Sequence, residues 1–510
     1  MIPPAWLTPL PGAAASQAID AWAIAERGVA ALDLMERAAA GLAALVQDVA
    51  PFGLVVVCCG GGNNGGDGYA AARLLRAAWR EVRVLAVTDP AALKGDARVQ
   101  FERLTGDPAL PFAAKQLDGA AVIVDAMLGT GSGGELRGAT LAAVAAIAVH
   151  DAPVVAADIP SGVDASSGEV AGPAVTAVAT AAFHASKPGL WIAPGKYYAG
   201  RVTVVDIGIP DGAPCAATAG LIDDHAVLGA LPSRGAADTK FTSGVVLVAG
   251  GSQGLLGAVT LSTQAALRAG AGYVVAAVPG SEQRTLASQS VEVMQMVLPG
   301  DEGHHVEHAA PAVLEAASGR GAVLVIGPGL GRDRDAAAFA RALAAGAAGP
   351  VVLDADGLNA FAGDLSGLAA RAAPTVLTPH EGELGRLLSS APGAIAAGRL
   401  AAARQAAQEG RAVVVLKGDD TLIARPDGLV AISPGATAGL ATAGTGDVLG
   451  GVIAALVARG CDPFHAACAG VRLHARAALH AAALFGVDGM IASDVVAAIP
   501  AARGSAHVVL

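Results

Sequence analysis

LVVVCCGGGNNGGDG, residues 54–68, sets the architecture of the N-terminal half of this chain. Six apolar residues read as a buried strand, and they stop at a run of six glycines, two asparagines and one aspartate. Glycine lets the backbone take positive φ and lets a ligand approach with no side chain in the way. The amides of such a loop, with the N-terminus of the helix expected at 69–80 (YAAARLLRAAWR), form a site for pyrophosphate. Asn64 and Asp67 add side-chain oxygens that a purely phosphate-binding loop does not need. A plain glycine-rich turn leaves that density of unusual residues unexplained.

Outward from this run, residues 50–210 alternate short apolar stretches with Ala/Leu-rich helical ones. Strands are expected at 54–59, 82–87, 120–128, 152–160, 175–183 and 201–209. Continuous apolar strands separated by helices mean a parallel sheet covered on both faces. Ligands then collect beyond the carboxyl ends of the strands, at 60–68, Asp125 to Gly134, Asp158 to Asp164 and around Lys187. The pattern stops between 208 and 240, where GIPDGAPCAATAG is turn-rich, so a domain boundary is placed near 213–222. The expected domains are 1–213, Rossmann-like and doubly wound, and 222–510, a second α/β unit. Its strands are expected at 244–251, 273–279, 322–331, 350–359, 375–383 and 411–428.

A chain of 510 residues is too long for one ordinary core, in agreement with two domains. Apolar residues are 54% and charged ones 15%, an alanine and glycine excess with no uninterrupted apolar run of about 18 residues, so no membrane is expected. The net charge of −11 argues against nucleic acid. The N-terminus lacks a basic start followed by an apolar core, and the five cysteines form no C-x-x-C. A reducing cytoplasm is expected, with Cys58 and Cys59 as buried strand residues.

In the first half Asn64, Asp125, Asp158 and Ser161 fall at or just past strand ends and offer hard oxygens to one sheet edge. Mixed carboxylate, amide and hydroxyl donors suit a weakly held monovalent cation as well as magnesium. No Ser–His pair, Cys–His pair or zinc spacing is present, so the chemistry is expected to be proton transfer at a bound small molecule with a carboxylate as acid or base.

In the second half ATAGTGDVLGGVIAAL (441–456) places Gly444, Gly446 and Asp447 at a helix start. Free helix amides there hold charge on a transferring phosphoryl group, and Asp447 beside them is the natural base toward an acceptor hydroxyl. GGSQGLLG (250–257), GPGLG (327–331) and LKGDDT (416–421), the last a hairpin lip, add backbone-exposing loops, and no G-x-x-x-x-G-K-[ST] occurs. In TPHEGE (378–383) His380 contacts substrate and Glu383 organises magnesium and water, or both merely cap a strand end. His304 and His308 of HHVEH are expected to be solvent-exposed.

GGNNGGDG, DAMLGTG, DIPSGVD and KPGL resemble the epimerase domain of the NAD(P)H-hydrate repair enzymes over residues 10–212. That resemblance implies K+ held by Asn64, Asp125 and Ser161. It implies substrate contacts at Asn63, Asn64, Gly65, Gly66 and Asp67, at Gly129, Thr130, Gly131, Ser132, Gly133, Gly134 and Glu135, and at Asp158. We take Asp158 as the catalytic proton shuttle. GPGLG, DADGLN, LTPHEGE, KGDDT and AGTGDVL resemble the ADP-dependent dehydratase domain of the same enzymes, which has the ribokinase-like fold, over about 235–500. The resemblance implies substrate contacts at Ala258, Gly329, Gly331, His380 and Asp447, the last catalytic, and ADP contacts at Lys417, Gly418, Asp419, Asp420, Thr421 and Gly446, with Mg2+. Gly357 replaces the usual alanine of DADALN. The implied activity is epimerisation of hydrated NADH and NADPH followed by ADP-dependent dehydration. A homo-oligomer is expected separately, with alanine-rich helix faces able to pack between subunits as well as inside a core. The alternatives are a small-molecule kinase fused to a dinucleotide-binding regulatory domain, and a non-catalytic first half serving as a scaffold.

Overall fold

The computed structural model describes residues 3–131 and 133–504, in two compact units that divide between Ala219 and Gly220. Residues 3–8 group with the second unit instead of with the rest of 1–213. The reason is burial: Leu7 joins the second unit's core, and the Trp6 ring stacks on His465 at 5.5 Å.

The first unit holds a seven-stranded sheet in the order Leu110–Pro111, Val82–Ala86, Leu54–Cys59, Ala120–Ala126, Val154–Ala157, Ala179–Phe183, Arg201–Val205. Every pairing is parallel. Alternate side chains of the central strand explain the double winding. Val55, Val57 and Cys59 pack with Leu42, Val46 and Leu75 of the helices Ala31–Val49 and Asn63–Ala77. Val56 and Cys58 face Val144 and Ile147 of Gly138–Ala148 on the opposite side. A strand buried on both faces has no polar alternation to show, which is why LVVVCC is apolar throughout.

Two expectations for 60–68 are corrected. The helix starts at Asn63, not at 69, so NNGGDG forms its first turns. None of the glycines 60–68 has positive φ. They permit close packing: a Cβ at Gly65 would lie 2.0 Å from the Gly60 carbonyl oxygen, and one at Gly68 2.6 Å from the Ala126 Cβ. The missing side chains let the helix N-terminus sit directly on the strand ends.

The second unit is built on an eleven-stranded sheet. Met294–Leu298, Tyr273–Pro279, Val245–Ala249, Val323–Ile326, Val351–Leu353, Thr375–Leu377 and Val413–Leu416 run parallel. Leu422–Ala424 and Val430–Ile432 continue it antiparallel, and Ala219–Ile222 and Leu7–Pro9 close the edge. The alanine-rich helices Leu256–Ala269, Thr445–Ala458 and Pro463–Phe485 pack inside this core. Small residues set their approach: a Cβ at Gly451 would lie 2.1 Å from the Ser262 carbonyl oxygen. Among the described residues no helix is long and apolar enough to cross a membrane.

Candidate functional site

A cavity of about 520 Å³ opens beyond the carboxyl ends of the first sheet, lined by Gly60–Asn64, Asp67, Gly129–Gly131, Asp158 and Lys187. Three expected oxygen donors meet beneath it around the peptide of Leu128. The Asn64 amide donates to the Leu128 carbonyl at 2.8 Å and to Ala157 O at 3.1 Å. Ser161 Oγ accepts from Leu128 N at 3.1 Å and donates to Asp125 Oδ1 at 2.7 Å. Asp125 also accepts from Ser161 N at 2.8 Å and Met127 N at 3.2 Å. Its carboxyl is fully buried, which pushes its pKa up to about 6 despite those donors. Among the described residues no cationic side chain pairs with Asp125, and the buried Asn64 Oδ1 has no hydrogen-bond partner. A carboxylate without counter-charge beside an orphaned amide oxygen fits a monovalent cation.

Asp158 is set apart from this trio. It has φ of 67° at the end of Val154–Ala157, a conformation that side chains rarely adopt. Its Oδ1 accepts from Phe183 N at 3.2 Å and from the buried Lys187 ammonium, and its Oδ2 from Thr130 N at 3.3 Å. Lys187 Nζ also donates to Phe183 O at 3.0 Å. Lys187 was legible only as part of a loop, and its pairing with Asp158 lies 29 residues away in sequence. Asp67 and Asp20 line the same cavity, and burial, then the Asp158 charge, pushes both above the ordinary carboxylate range. Asp20, on Ala13–Ala25, gives no sequence signal at all. The Gly129–Glu135 loop is divided. Gly129, Thr130 and Gly131 face the larger cavity. Gly133, Gly134 and Glu135 face one of about 300 Å³ together with Ser161 and Asp164. Ser132 lies outside the described residues.

In the second unit Gly444 caps Thr445–Ala458 with φ of 90°, a left-handed turn that favours glycine, and Asp447 sits in the first helical turn. Burial, followed by the Asp354 charge, raises Asp447 to about 7, although Lys417 opposes the rise. Lys417 leaves the end of Val413–Leu416 and reaches Asp354 Oδ1 at 3.2 Å and Glu383 Oε2 at 3.7 Å. Burial by itself would lower this ammonium, but Asp354 and Glu383 outweigh it and hold it above its ordinary value. A Cβ at Gly446 would lie 3.4 Å from Lys417 Nζ, so the helix start, the lysine and the acids share one place.

His380 and Glu383 form a capping box for Glu381–Leu387. His380 Nδ1 accepts from Gly382 N and Glu383 N, and Glu383 Oε2 accepts from His380 N at 2.9 Å. The His380 ring remains half exposed while Glu383 is buried against Lys417, so capping and site lining occur together. Gly329, at φ of 61°, meets Ala258: a Cβ there would be 3.2 Å from the Ala258 Cβ. Gly331 N donates to Asp356 Oδ2 at 3.1 Å. The turn 417–421 is closed by Thr421 Oγ1, which donates to Gly418 O at 2.7 Å. Gly418 and Asp419 are exposed on it, whereas the Asp420 carboxylate is buried against Arg399. Arg399, Asp354 and the fully enclosed His474, which hydrogen-bonds the Thr445 backbone, are site-supporting residues that sequence reasoning did not find. Asp354 opens the DADGLN motif without being singled out there, and for Arg399 and His474 only the packing marks them. His304 and His308 are exposed as expected, while His305 between them is buried on Phe339.

Residues 246–501 match the family model described as NAD(P)H-hydrate dehydratase, and 31–189 match that of the YjeF-related protein N-terminus. The chain is 40% identical over 448 residues to the bifunctional NAD(P)H-hydrate repair enzyme of Moorella thermoacetica, covering 85% of this chain and 84% of that one. It is 39% identical over 522 residues to the enzyme of the same name from Salinibacter ruber, covering 96% and 95%. A crystal structure of the ADP/ATP-dependent NAD(P)H-hydrate dehydratase from Bacillus subtilis, co-crystallised with ATP and Mg2+, is 27% identical. It covers 56% of this chain and 97% of that one, with a TM-score of 0.48.

Proposed function

Because the chain belongs to the family of bifunctional NAD(P)H-hydrate repair enzymes, we propose that it interconverts the R and S hydrates of NADH and NADPH in its first unit. The second unit dehydrates the S form, consuming ADP and releasing AMP and phosphate. The observation that carries this reading is the raised Asp447 beside Lys417 at a glycine-capped helix start, on one chain with the buried oxygen trio of Asn64, Asp125 and Ser161.

In the first unit Asn64 Oδ1, Asp125 and Ser161 hold K+, which supplies fixed positive charge beside the bound hydrate. Lys187 pairs with Asp158 at the cavity wall, where the Asp158 carboxyl is placed to exchange a proton at the C6 hydroxyl. In the second unit Asp447, with its pKa near 7, takes the proton from that hydroxyl as the oxygen attacks the terminal phosphoryl group of ADP. The amides at 444–447 hold the charge on the transferring group. Phosphate is then a far better leaving group than hydroxide. The ring nitrogen expels it, and loss of a C5 proton restores the dihydronicotinamide. Among the described residues no three His, Cys, Asp or Glu side chains converge to hold a metal, so Mg2+ is expected to arrive on the nucleotide phosphates. Glu383 is committed to its cap and to Lys417. The five free cysteines suit the reducing cytoplasm where these cofactors are used.

The test is a racemic preparation of hydrated NADH with ADP, Mg2+ and K+, followed by absorbance of the restored dihydronicotinamide. Complete conversion with release of inorganic phosphate establishes both steps. Conversion that halts at half removes the epimerase. Accumulation of a phosphorylated product in its place turns the reading to a small-molecule kinase.

A further inference from the structure

Epimerisation at C6 needs a proton delivered to the departing hydroxyl and one removed from the water that returns on the other face. The cavity offers few groups for these tasks. Asp20, Asp67, Asp96, Asp158, His184 and Lys187 are the titratable side chains along its wall. Asp158 has its carboxylate engaged by Lys187 and by the amides of Phe183 and Thr130. Asp67 contrasts with it: the residue is 8% exposed, and its carboxyl makes no hydrogen bond among the described residues. A buried carboxyl that opens on a ligand cavity with no partner is either unsatisfied or waiting for one.

Resting on the epimerase reading, we propose that Asp67 is the catalytic acid that protonates the leaving C6 hydroxyl, with Asp158 as the base for the returning water. The C6–O bond breaks with its electron pair on oxygen, which takes the Asp67 proton and leaves as water. The N1 lone pair forms the C6=N1 bond. Water then attacks C6 from the other face, that bond's π pair returns to N1, and the proton passes to Asp158. The forward step leaves Asp67 ionised and Asp158 protonated, which is the pair the reverse step uses, and exchange of that proton through water in the cavity resets the pair for the next forward turnover. Burial, then the charges of Asp158 and Asp20, raises the Asp67 carboxyl above the ordinary carboxylate range and so favours its protonated form, while Lys187 opposes them. His184 is held neutral by burial and by Lys187, and so does not compete as an acid.

Asp67→Asn in the intact chain, assayed by chromatographic resolution of the two hydrates from either pure epimer, is expected to slow interconversion at least ~100-fold in both directions. Dehydration of pure S hydrate by the same protein stays at the wild-type rate. Asp67→Glu, which keeps a carboxyl, recovers part of the loss, and an unchanged thermal transition shows that the first unit is folded. The alkaline limb of the wild-type epimerisation profile, where Asp67 loses its proton, is absent from the residual Asn activity. A wild type that equilibrates the hydrates beside an equally active Asn variant overturns the assignment alone. A wild type that leaves the hydrates unequilibrated overturns the epimerase reading and this assignment with it.

Discussion

The Asp447 base makes the pH profile of dehydration predictable in position as well as sign. Its carboxyl is raised to about 7 by burial and by the neighbouring Asp354 charge, and it acts only when ionised. Activity is therefore expected to be full above that pKa and to fall as pH drops through it. The value of kcat/KM should stand at about half its plateau at pH 7, about a tenth at pH 6 and about a hundredth at pH 5, a slope of one decade per unit. The assay is the initial rate of dihydronicotinamide recovery from pure S hydrate with saturating ADP and Mg2+, from pH 5 to 9. Asp447→Asn provides the control, because titration of ADP itself persists in that variant. Asp354→Asn removes the second cause of the shift and releases Lys417, which itself lowers Asp447. Both changes act in one direction, so the acid limb should move down by about one pH unit, ~1.4 kcal/mol of differential charge stabilisation. A profile flat down to pH 5, or a limb unmoved in Asp354→Asn, refutes the assignment of Asp447 as the titrating base.

Further outcomes follow from single contacts. Arg399→Met strands the buried Asp420 carboxylate, whose side chain is 1% exposed, and should destabilise the second unit by about 3–5 kcal/mol in denaturant titration. The companion Arg399→Met with Asp420→Leu should recover most of that loss. Gly329→Ala forces a side chain into φ of 61° and a Cβ to 2.3 Å of the Leu255 carbonyl oxygen. About 1–3 kcal/mol of strain is expected, read as a raised KM for the hydrate in dehydration. Asp125→Ala removes the buried carboxylate of the oxygen trio and should abolish the K+ dependence of epimerisation. A titration of the rate with KCl against tetramethylammonium chloride checks this, and an unchanged K+ response rejects the site.

Much of this architecture was legible because its determinants are local. Parallel strands buried on both faces show as apolar runs such as 54–59 and 273–279, and both runs lie on the observed strands. The site segments stood out where backbone constraint shows in residue type. Gly444 at a left-handed helix cap and the His380/Glu383 spacing of a capping box are of this kind. The same local logic misread 60–68, since glycine's tolerance of positive φ and its lack of a Cβ look alike in sequence. Only the proximity of the Gly60 carbonyl to Gly65 shows that close packing is what these glycines serve.

The sequence by itself determined the two α/β units, the strand ends where the sites form, and the residue types available there. The tertiary structure decided which of those residues act on one another. It placed Lys187 on Asp158, Arg399 on Asp420 and Lys417 on Asp354. It left the Asp67 carboxyl without a hydrogen-bond partner among the described residues and put residues 3–8 with the second unit. The physical reason is that charge and burial act through space. A carboxylate's ionisation depends on how much water it loses and on which charges lie within a few ångströms. The register of strands and helices far apart in the chain fixes both.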